Sequence, residues 1–433
     1  LRITIEKLVY GGEGLARLPA DEHGRGKAVF MPFVLEGEDV LATVIDEKPG
    51  FARARVEKIL QPSARRIAPP CAYFQRCGGC HYQHSSYEHQ LEIKVAILKE
   101  NLRRIAKLEL SSEVVVHPSV PWNYRNRSQL KVRTEPEFAL GYFKFNSHEL
   151  LPVENCPISS PLINRAIAAL WHWGQVGKDQ VALTEVEFFV NADDSELLVE
   201  LSCAPGVPAV RAQATADSVR QMLPQIIGVV VFPQSTKAGQ RTAEPEPLAV
   251  SGASGLLYRT ERAEYRVSRA SFFQVNRALV DELVGLVAAR GSGNVALDLY
   301  AGAGLFSSVL AGRFAQVIAV EASQISHQDL RQNSPANVKA VRATTQQYLQ
   351  RLGGKLRPDL VVADPPRSGL GAVTVKQLLA LRAPEFTYVS CDPATLARDL
   401  SGLLAGGYRV EQAHLVDLFP QTYHLESVFH LVR

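Results

Sequence analysis

The residues richest in chemistry lie in the last third of the chain. Positions 387–391 (Thr-Tyr-Val-Ser-Cys) read as a strand that passes directly into Asp392-Pro393-Ala394-Thr395. Asp392 has the chemistry of a helix N-cap, and Pro393 suits the first helical position. Cys391 therefore stands between a strand's carboxyl end and a helix N-terminus. Unpaired N–H groups and the helix dipole there favour the thiolate, the nucleophilic form of a thiol. Asp392 opposes that preference, and a buried apolar cysteine is the ordinary alternative. What decides for a nucleophile is the company it keeps at the neighbouring strand ends.

One such end is 298–304, Asp-Leu-Tyr-Ala-Gly-Ala-Gly, which closes a strand and opens a short helix. Gly302 and Gly304 allow a tight turn and close backbone approach to a ligand. The next strand ends at Glu321, which suits a carboxylate gripping two ribose hydroxyls. Position 307 is Ser, so the third glycine of a dinucleotide fingerprint is missing. An adenosine-type cofactor such as S-adenosylmethionine is favoured over NAD.

Asp364-Pro365-Pro366-Arg367 ends a further strand. Methylases of exocyclic amines use a similar acid-Pro-Pro turn, but they close it with an aromatic residue and need no thiol. With Arg367 in that place and Cys391 nearby, methylation at carbon is the better chemistry. Uracil C5 is too weak a nucleophile to take a methyl group unaided. A thiolate adding to C6 makes an enolate whose C5 attacks the sulfonium methyl, and a base must then remove the C5 proton. Glu426, in His424-Leu425-Glu426 just before the last strand, is the candidate base.

A second constellation is Cys71, Cys77 and Cys80 with a remote Cys156, which is followed by Pro157. One Cys-x2-Cys spacing is short of the paired knuckles of a zinc site, and Gly78-Gly79 would let N–H groups approach sulfur. Iron–sulfur and zinc both remain open on spacing. His81 and His84 are alternative ligands or, more simply, surface residues. Cys203 reads as a buried strand residue.

These groups need elements to carry them. The 433 residues exceed one domain, and 46% hydrophobic with 21% charged residues describes a globular protein. Short strands at 1–5, 27–34, 39–45 and 52–60, punctuated by Gly and Pro and by a loop in the 20s, predict a small β-barrel over 1–62. An amphipathic helix spans 87–109 and is expected to pack on the 263–433 domain, with Leu91, Val95, Leu98, Leu102 and Ile105 on one face. Lys94, Lys99, Arg103, Arg104 and Lys107 occupy the other. Residues 63–86 and 110–262 form an α+β central domain carrying the cysteines, with a polar loop at 237–247. From 263 to 433, alternating helices and buried strands predict a doubly wound α/β sheet with a late antiparallel pair. The ligand groups above lie at its carboxyl edge.

The net charge of +3 is weak, yet 92–144 holds ten basic against six acidic residues. Arg125, Arg127, Lys131 and Arg133 are candidate phosphate contacts. No apolar run approaches a membrane helix, and the first residues lack a signal pattern, so a cytoplasmic protein, monomeric and without a membrane partner, is expected.

The quoted motifs, together with Ser271-Phe272-Phe273-Gln274-Val275-Asn276, resemble the RNA 5-methyluridine methyltransferases. Residues 1–60 look like the TRAM barrel found in many members. The resemblance implies a Rossmann-like catalytic domain, Cys391 as nucleophile and Glu426 as the C5-proton base. It places Gln274, Tyr300, Leu305, Glu321 and Asp364 around the methyl donor or the target base. Members commonly carry Asn where Leu305 stands, so only its backbone could supply that contact. It also implies a [4Fe–4S] cluster on the four cysteines. Barrel plus cluster resembles the enzymes of bacterial 23S ribosomal RNA. The alternatives are the transfer-RNA T-loop uridine and a non-catalytic RNA-binding or RNA-folding protein.

Overall fold

The computed structural model describes residues 1–18, 26–177, 181–234 and 246–433. The loop in the 20s and most of the polar loop expected at 237–247 lie outside the described residues.

The front of the chain is a curled six-stranded sheet. Strands β1 (Arg2–Thr4), β2 (Lys7–Leu8), β3 (Glu13–Arg17), β4 (Ala28–Pro32), β5 (Asp39–Glu47) and β6 (Phe51–Gln61) run in the order β1-β5-β6-β4-β3-β2. Alternate residues such as Ile3, Val29, Met31, Val40 and Ala52 fill the interior. The β2–β3 hairpin was not legible in the sequence, because its strands are short and its turn is glycine rich. Buried Glu38 fastens the barrel's exit: its carboxylate accepts from the Arg66 guanidinium at 2.6 and 2.8 Å and from Leu35 N and Ser63 N.

Ser86 caps helix α1 (Tyr87–Asn101), which continues as a π-helical turn at Leu102–Ala106. The expected apolar face holds at Leu98 and Leu102, with Val95 packed beside them, and differs elsewhere. Gln90, Ile93, Lys94, Ile97, Leu98 and Leu102 are buried, whereas Ile105 is 42% exposed. Lys94, expected on the polar face, is fully buried because its ammonium donates to Asp417 at 2.5 Å and to the Phe419 carbonyl at 2.9 Å. Leu98 and Leu102 join the core of the catalytic sheet.

Strand β7 (Val115–His117) follows. The central sheet comprises β8 (Arg127–Arg133), β9 (Ala139–Phe143), β10 (Leu150–Pro152), β11 (Leu183–Val190), β12 (Leu197–Cys203), β13 (Ile226–Pro233) and β14 (Ala249–Gly252), ordered β10-β9-β8-β11-β12-β13-β14. Helices α2 (Pro161–Val176) and α3 (Ala209–Arg220) supply Leu162, Ile163, Ile167, Ala212 and Val219 to its core. Cys203 is buried on β12, as expected, with its thiol donating to the Phe232 carbonyl. A hairpin of β15 (Gly255–Arg259) and β16 (Glu264–Ser268) crosses the boundary expected at 262/263.

The catalytic unit is doubly wound. It contains α4 (Val280–Ala288), β17 (Gly293–Leu299), α5 (Leu305–Leu310), β18 (Phe314–Glu321), α6 (Gln324–Asn333), β19 (Val338–Arg342), α7 (Thr345–Leu352), β20 (Leu360–Ala363), α8 (Gly371–Leu381), β21 (Glu385–Ser390), α9 (Pro393–Ala405), β22 (Arg409–Val416) and β23 (Glu426–Val432). The sheet order is β19-β18-β17-β20-β21-β23-β22-β7. Strand β23 inserts antiparallel between β21 and β22, and β7 pairs parallel to β22 at the far edge. Thus β7, expected within the central domain, belongs to the catalytic sheet. Among the described residues, no helix is long and apolar enough to cross a membrane.

Candidate active site

Register gathers the ligand groups at one sheet edge. Leu299 pairs with Ala363, Ala363 with Tyr388, and Ser390 with Ser427. The next residues along these strand ends are Tyr300, Asp364 and Cys391, and Glu426 precedes Ser427. Four residues scattered over 127 positions therefore stand side by side.

The turn after β17 is bent by three residues in the left-handed region: Tyr300 at φ +62°, Gly302 at +55° and Gly304 at +93°. A Cβ on Gly302 would meet nothing within 4 Å, whereas one on Gly304 would lie 2.9 Å from Leu330 Cδ1. Gly302 thus borders open space, and Gly304 serves packing. Gly302 N donates to Glu321 Oε2 at 2.9 Å and Ser323 N to its Oε1 at 2.7 Å, which fixes the carboxylate at the mouth of the turn. Such a fixed acceptor beside an open glycine turn fits vicinal hydroxyls of a ribose.

Asp298, which opens this motif, was not singled out in the sequence, although a carboxylate inside an apolar strand run is itself a signal. It is buried, bonded to the Ser307 hydroxyl through one oxygen and unpartnered among the described residues at Oδ1. Burial pushes its pKa up to about 7. Gln274 is buried, and its carbonyl accepts from Asn126 at 2.8 Å, tying the central domain to the site. The Leu305 side chain packs in the apolar core and its carbonyl accepts from the Tyr265 hydroxyl at 3.0 Å, which leaves its N–H as the backbone group at the turn.

Cys391 lies where strand becomes helix. Asp392 caps α9, accepting from Ala394 N and Thr395 N at 3.1 and 2.8 Å. The helix then grips the neighbouring loop: the Thr395 hydroxyl donates to the Arg367 carbonyl and Arg398 to the Ser368 carbonyl. Buried Asp399 accepts from Leu370 N, Gly371 N and the Tyr388 hydroxyl. The Pro-Pro-Arg turn and the thiol are thus held by one helix.

The electrostatics bear on a balance that spacing left open. The Cys391 thiol is pushed up to about 12, first by burial and then by Glu426 and Asp364, with Arg367 opposing. Glu426, the candidate base, is 4% exposed, with Oε1 unpartnered among the described residues. Burial, then Asp364, holds its carboxyl well above the usual range against Arg367. Asp364 is itself raised to about 7, by burial and by Asp298. Arg367, whose guanidinium approaches His424 Nδ1 at 3.4 Å, is the counter-charge that the thiol and Glu426 share.

The four cysteines face a separate cavity of about 230 Å³, lined also by Tyr73, Tyr142 and Arg125. All four are free thiols. Burial raises the pKa of Cys71, Cys77 and Cys80, the second to about 11. No three His, Cys, Asp or Glu groups among the described residues converge on a single-ion site. His81 and His84 are buried and not surface residues, and neither lines the cavity.

The candidate phosphate contacts stand in different settings. Arg127 stacks on Phe189 at 4.1 Å and donates to the Ser271 carbonyl. Lys131 pairs with Glu185, and Arg125 is turned toward the cysteine cavity. Arg133 remains exposed.

A doubly wound sheet, a glycine turn facing a fixed carboxylate, and a thiol flanked by carboxyls define a group-transfer enzyme with a small barrel at its front. A family model described as tRNA (Uracil-5-)-methyltransferase matches residues 86–433, and a TRAM domain matches residues 1–56. The chain belongs to the tRNA (uracil-5-)-methyltransferase family: it is an RNA (uracil-5-)-methyltransferase carrying a TRAM domain. An RNA methyltransferase of Aquifex aeolicus is 34% identical over 435 residues, covering 99% of this chain and 97% of that protein. One from Thermotoga maritima is 30% identical, covering 100% and 99%. The crystal structure of Pyrococcus abyssi tRNA (uracil-54, C5)-methyltransferase in complex with S-adenosyl-L-homocysteine matches with a TM-score of 0.77 at 24% identity, over 100% of both chains.

Proposed function

We propose that the chain transfers the methyl group of S-adenosylmethionine to C5 of a uridine in ribosomal RNA of the 23S type, by way of a covalent bond to Cys391. The observation carrying this reading is the juxtaposition of Cys391 and Glu426 across paired strand ends. Bound S-adenosylmethionine supplies an electrophilic methyl on a sulfonium. The residues fit it: Asp298, Asp364 and Glu426 leave the site rich in buried carboxyls, which favours a cationic ligand. Glu321 and the turn at Gly302 would hold its ribose, with Gln274 and Tyr300 beside the methyl donor or the base.

In this reading Cys391 gives its proton to water and its thiolate adds to C6; the electrons of the C5–C6 double bond form an enolate whose C5 takes the methyl, leaving the donor as a neutral thioether. Glu426, which has also given its proton to water, accepts the C5 proton, the C5–C6 double bond re-forms, and the C6–S bond breaks with return of the thiolate. Burial favours the protonated form of both groups, so each ionises in the course of the reaction. The target base must leave its stack to reach this pocket.

We propose further that Cys71, Cys77, Cys80 and Cys156 would hold a [4Fe–4S] cluster. The reading rests on their spacing in the sequence and on all four lining one cavity. The methyl transfer consumes no electrons, so the cluster would act as a cross-link between the 71–80 segment and the Cys156 loop. Anaerobic preparation should give about four irons per chain; one zinc per chain would overturn the assignment.

A transfer-RNA uridine is the second reading, favoured by the full-length likeness to the Pyrococcus abyssi enzyme, which acts on uracil 54 of tRNA. Mapping 5-methyluridine in RNA from a deletion strain separates them: loss from 23S ribosomal RNA is expected, and loss confined to transfer RNA would reverse the substrate.

A further inference from the structure

The barrel reaches the catalytic edge through its β2–β3 turn. Tyr10 stands there, ahead of Gly11 and Gly12 at φ +108° and +84°, and its hydroxyl donates to the Cys391 carbonyl at 3.1 Å. Its ring meets Tyr423 edge-on, with centroids 5.4 Å apart. Tyr423 packs at 4.6 Å on His81, the residue after Cys80, and at 4.2 Å on His424. A Cβ on Gly12 would lie 3.0 Å from the His81 side chain, so the turn is seated closely. A different contact, the ion pair of Lys7 with Glu100, docks the same barrel edge on α1 away from the thiol.

We propose that Tyr10 is a positioning residue for Cys391, so that the barrel completes the active site and does more than hold RNA. The proposal rests on the reading of Cys391 as nucleophile. Strand β21 ends at Ser390 and α9 starts at Pro393, so the Cys391 peptide lies between two regular elements. A donor on its carbonyl fixes the plane from which the Cα–Cβ–Sγ arm projects. It also draws off the negative end of a dipole that would otherwise oppose the forming thiolate. Burial, then Asp392 and Tyr423, keep the Tyr10 hydroxyl protonated against the opposing pull of Arg367, so it remains a donor at any working pH.

The test compares full-length Tyr10→Phe, which keeps the ring packing, with Lys7→Ala, which loosens barrel docking elsewhere. Two rates are read: iodoacetamide alkylation of the Cys391 peptide without RNA, followed by mass spectrometry at pH 7–9, and single-turnover methylation at saturating RNA. Tyr10→Phe should slow both about fivefold, the scale of one hydrogen bond, with RNA affinity unchanged within about twofold. Lys7→Ala should leave both at wild-type values. Wild-type rates in Tyr10→Phe, or equal losses in both variants, would overturn the proposal. Cys391→Ala separates the two levels: its inactivity alongside a wild-type Tyr10→Phe removes only this inference, whereas its normal methylation removes the nucleophile reading itself.

Discussion

Asp364 and Glu426 crowd negative capacity around one thiol, with Asp298 behind Asp364, and Arg367 is the cation that faces it. Their raised pKa values have a consequence for stability. A carboxyl that titrates near 4 in the unfolded chain and near 7 in the fold binds its proton more tightly when folded. Its contribution is complete below about pH 4 and is lost as pH rises through about 7. Between pH 5 and pH 8 the melting temperature of the cofactor-free enzyme should therefore fall, and Asp364→Asn should fall less. Parallel curves for the two proteins would show that Asp364 is not strained by burial. At this scale the sequence was partly legible. Cys391, Asp392 and Pro393 declare a strand-to-helix junction in their own chemistry. Glu426 does not, because its burial comes from β23 entering between β21 and β22, a sheet order that chain order hides.

Helix α9 is the element on which the site depends, since it begins at the thiol and holds the 364–371 turn through Thr395, Arg398 and Asp399. Replacing Asp399 with Ala strands buried N–H groups of Leu370 and Gly371 and should cost about 3 kcal/mol in denaturant unfolding. A loss under about 0.5 kcal/mol would mean the turn is held by its prolines alone. Periodicity gave the alternation of helix and strand in the last third of the chain, and Ser160 and Thr344 cap α2 and α7. It failed on α1 for a definite reason. A lysine is assigned to solvent by its charge, yet Lys94 finds Asp417, 323 residues away, and no local pattern carries that pairing.

In the whole molecule, α1 packs on the catalytic sheet and β7 pairs into it although both precede most of the central domain, and the barrel touches Cys391 through Tyr10. The basic excess at 92–144 is correspondingly divided. Arg127 and Lys131 are committed within the protein, whereas Arg103 and Arg104 are exposed at the end of α1. For RNA binding, Arg103→Ala should flatten the slope of log affinity against log salt by about one unit, and Lys131→Ala should leave it unchanged. The reverse pattern would place the RNA along β8. Neither internal use of a basic residue could be read from composition, since charge counts do not distinguish a phosphate contact from an ion pair.

The account turns on a bond between Cys391 and the target base. Glu426→Gln enzyme, incubated with S-adenosylmethionine and substrate RNA, then denatured, digested and examined by mass spectrometry, tests it most directly. A Cys391 peptide carrying a methylated uridine nucleotide is the predicted result. Free 5-methyluridine formed at the wild-type rate, with Cys391 unmodified throughout, would contradict it.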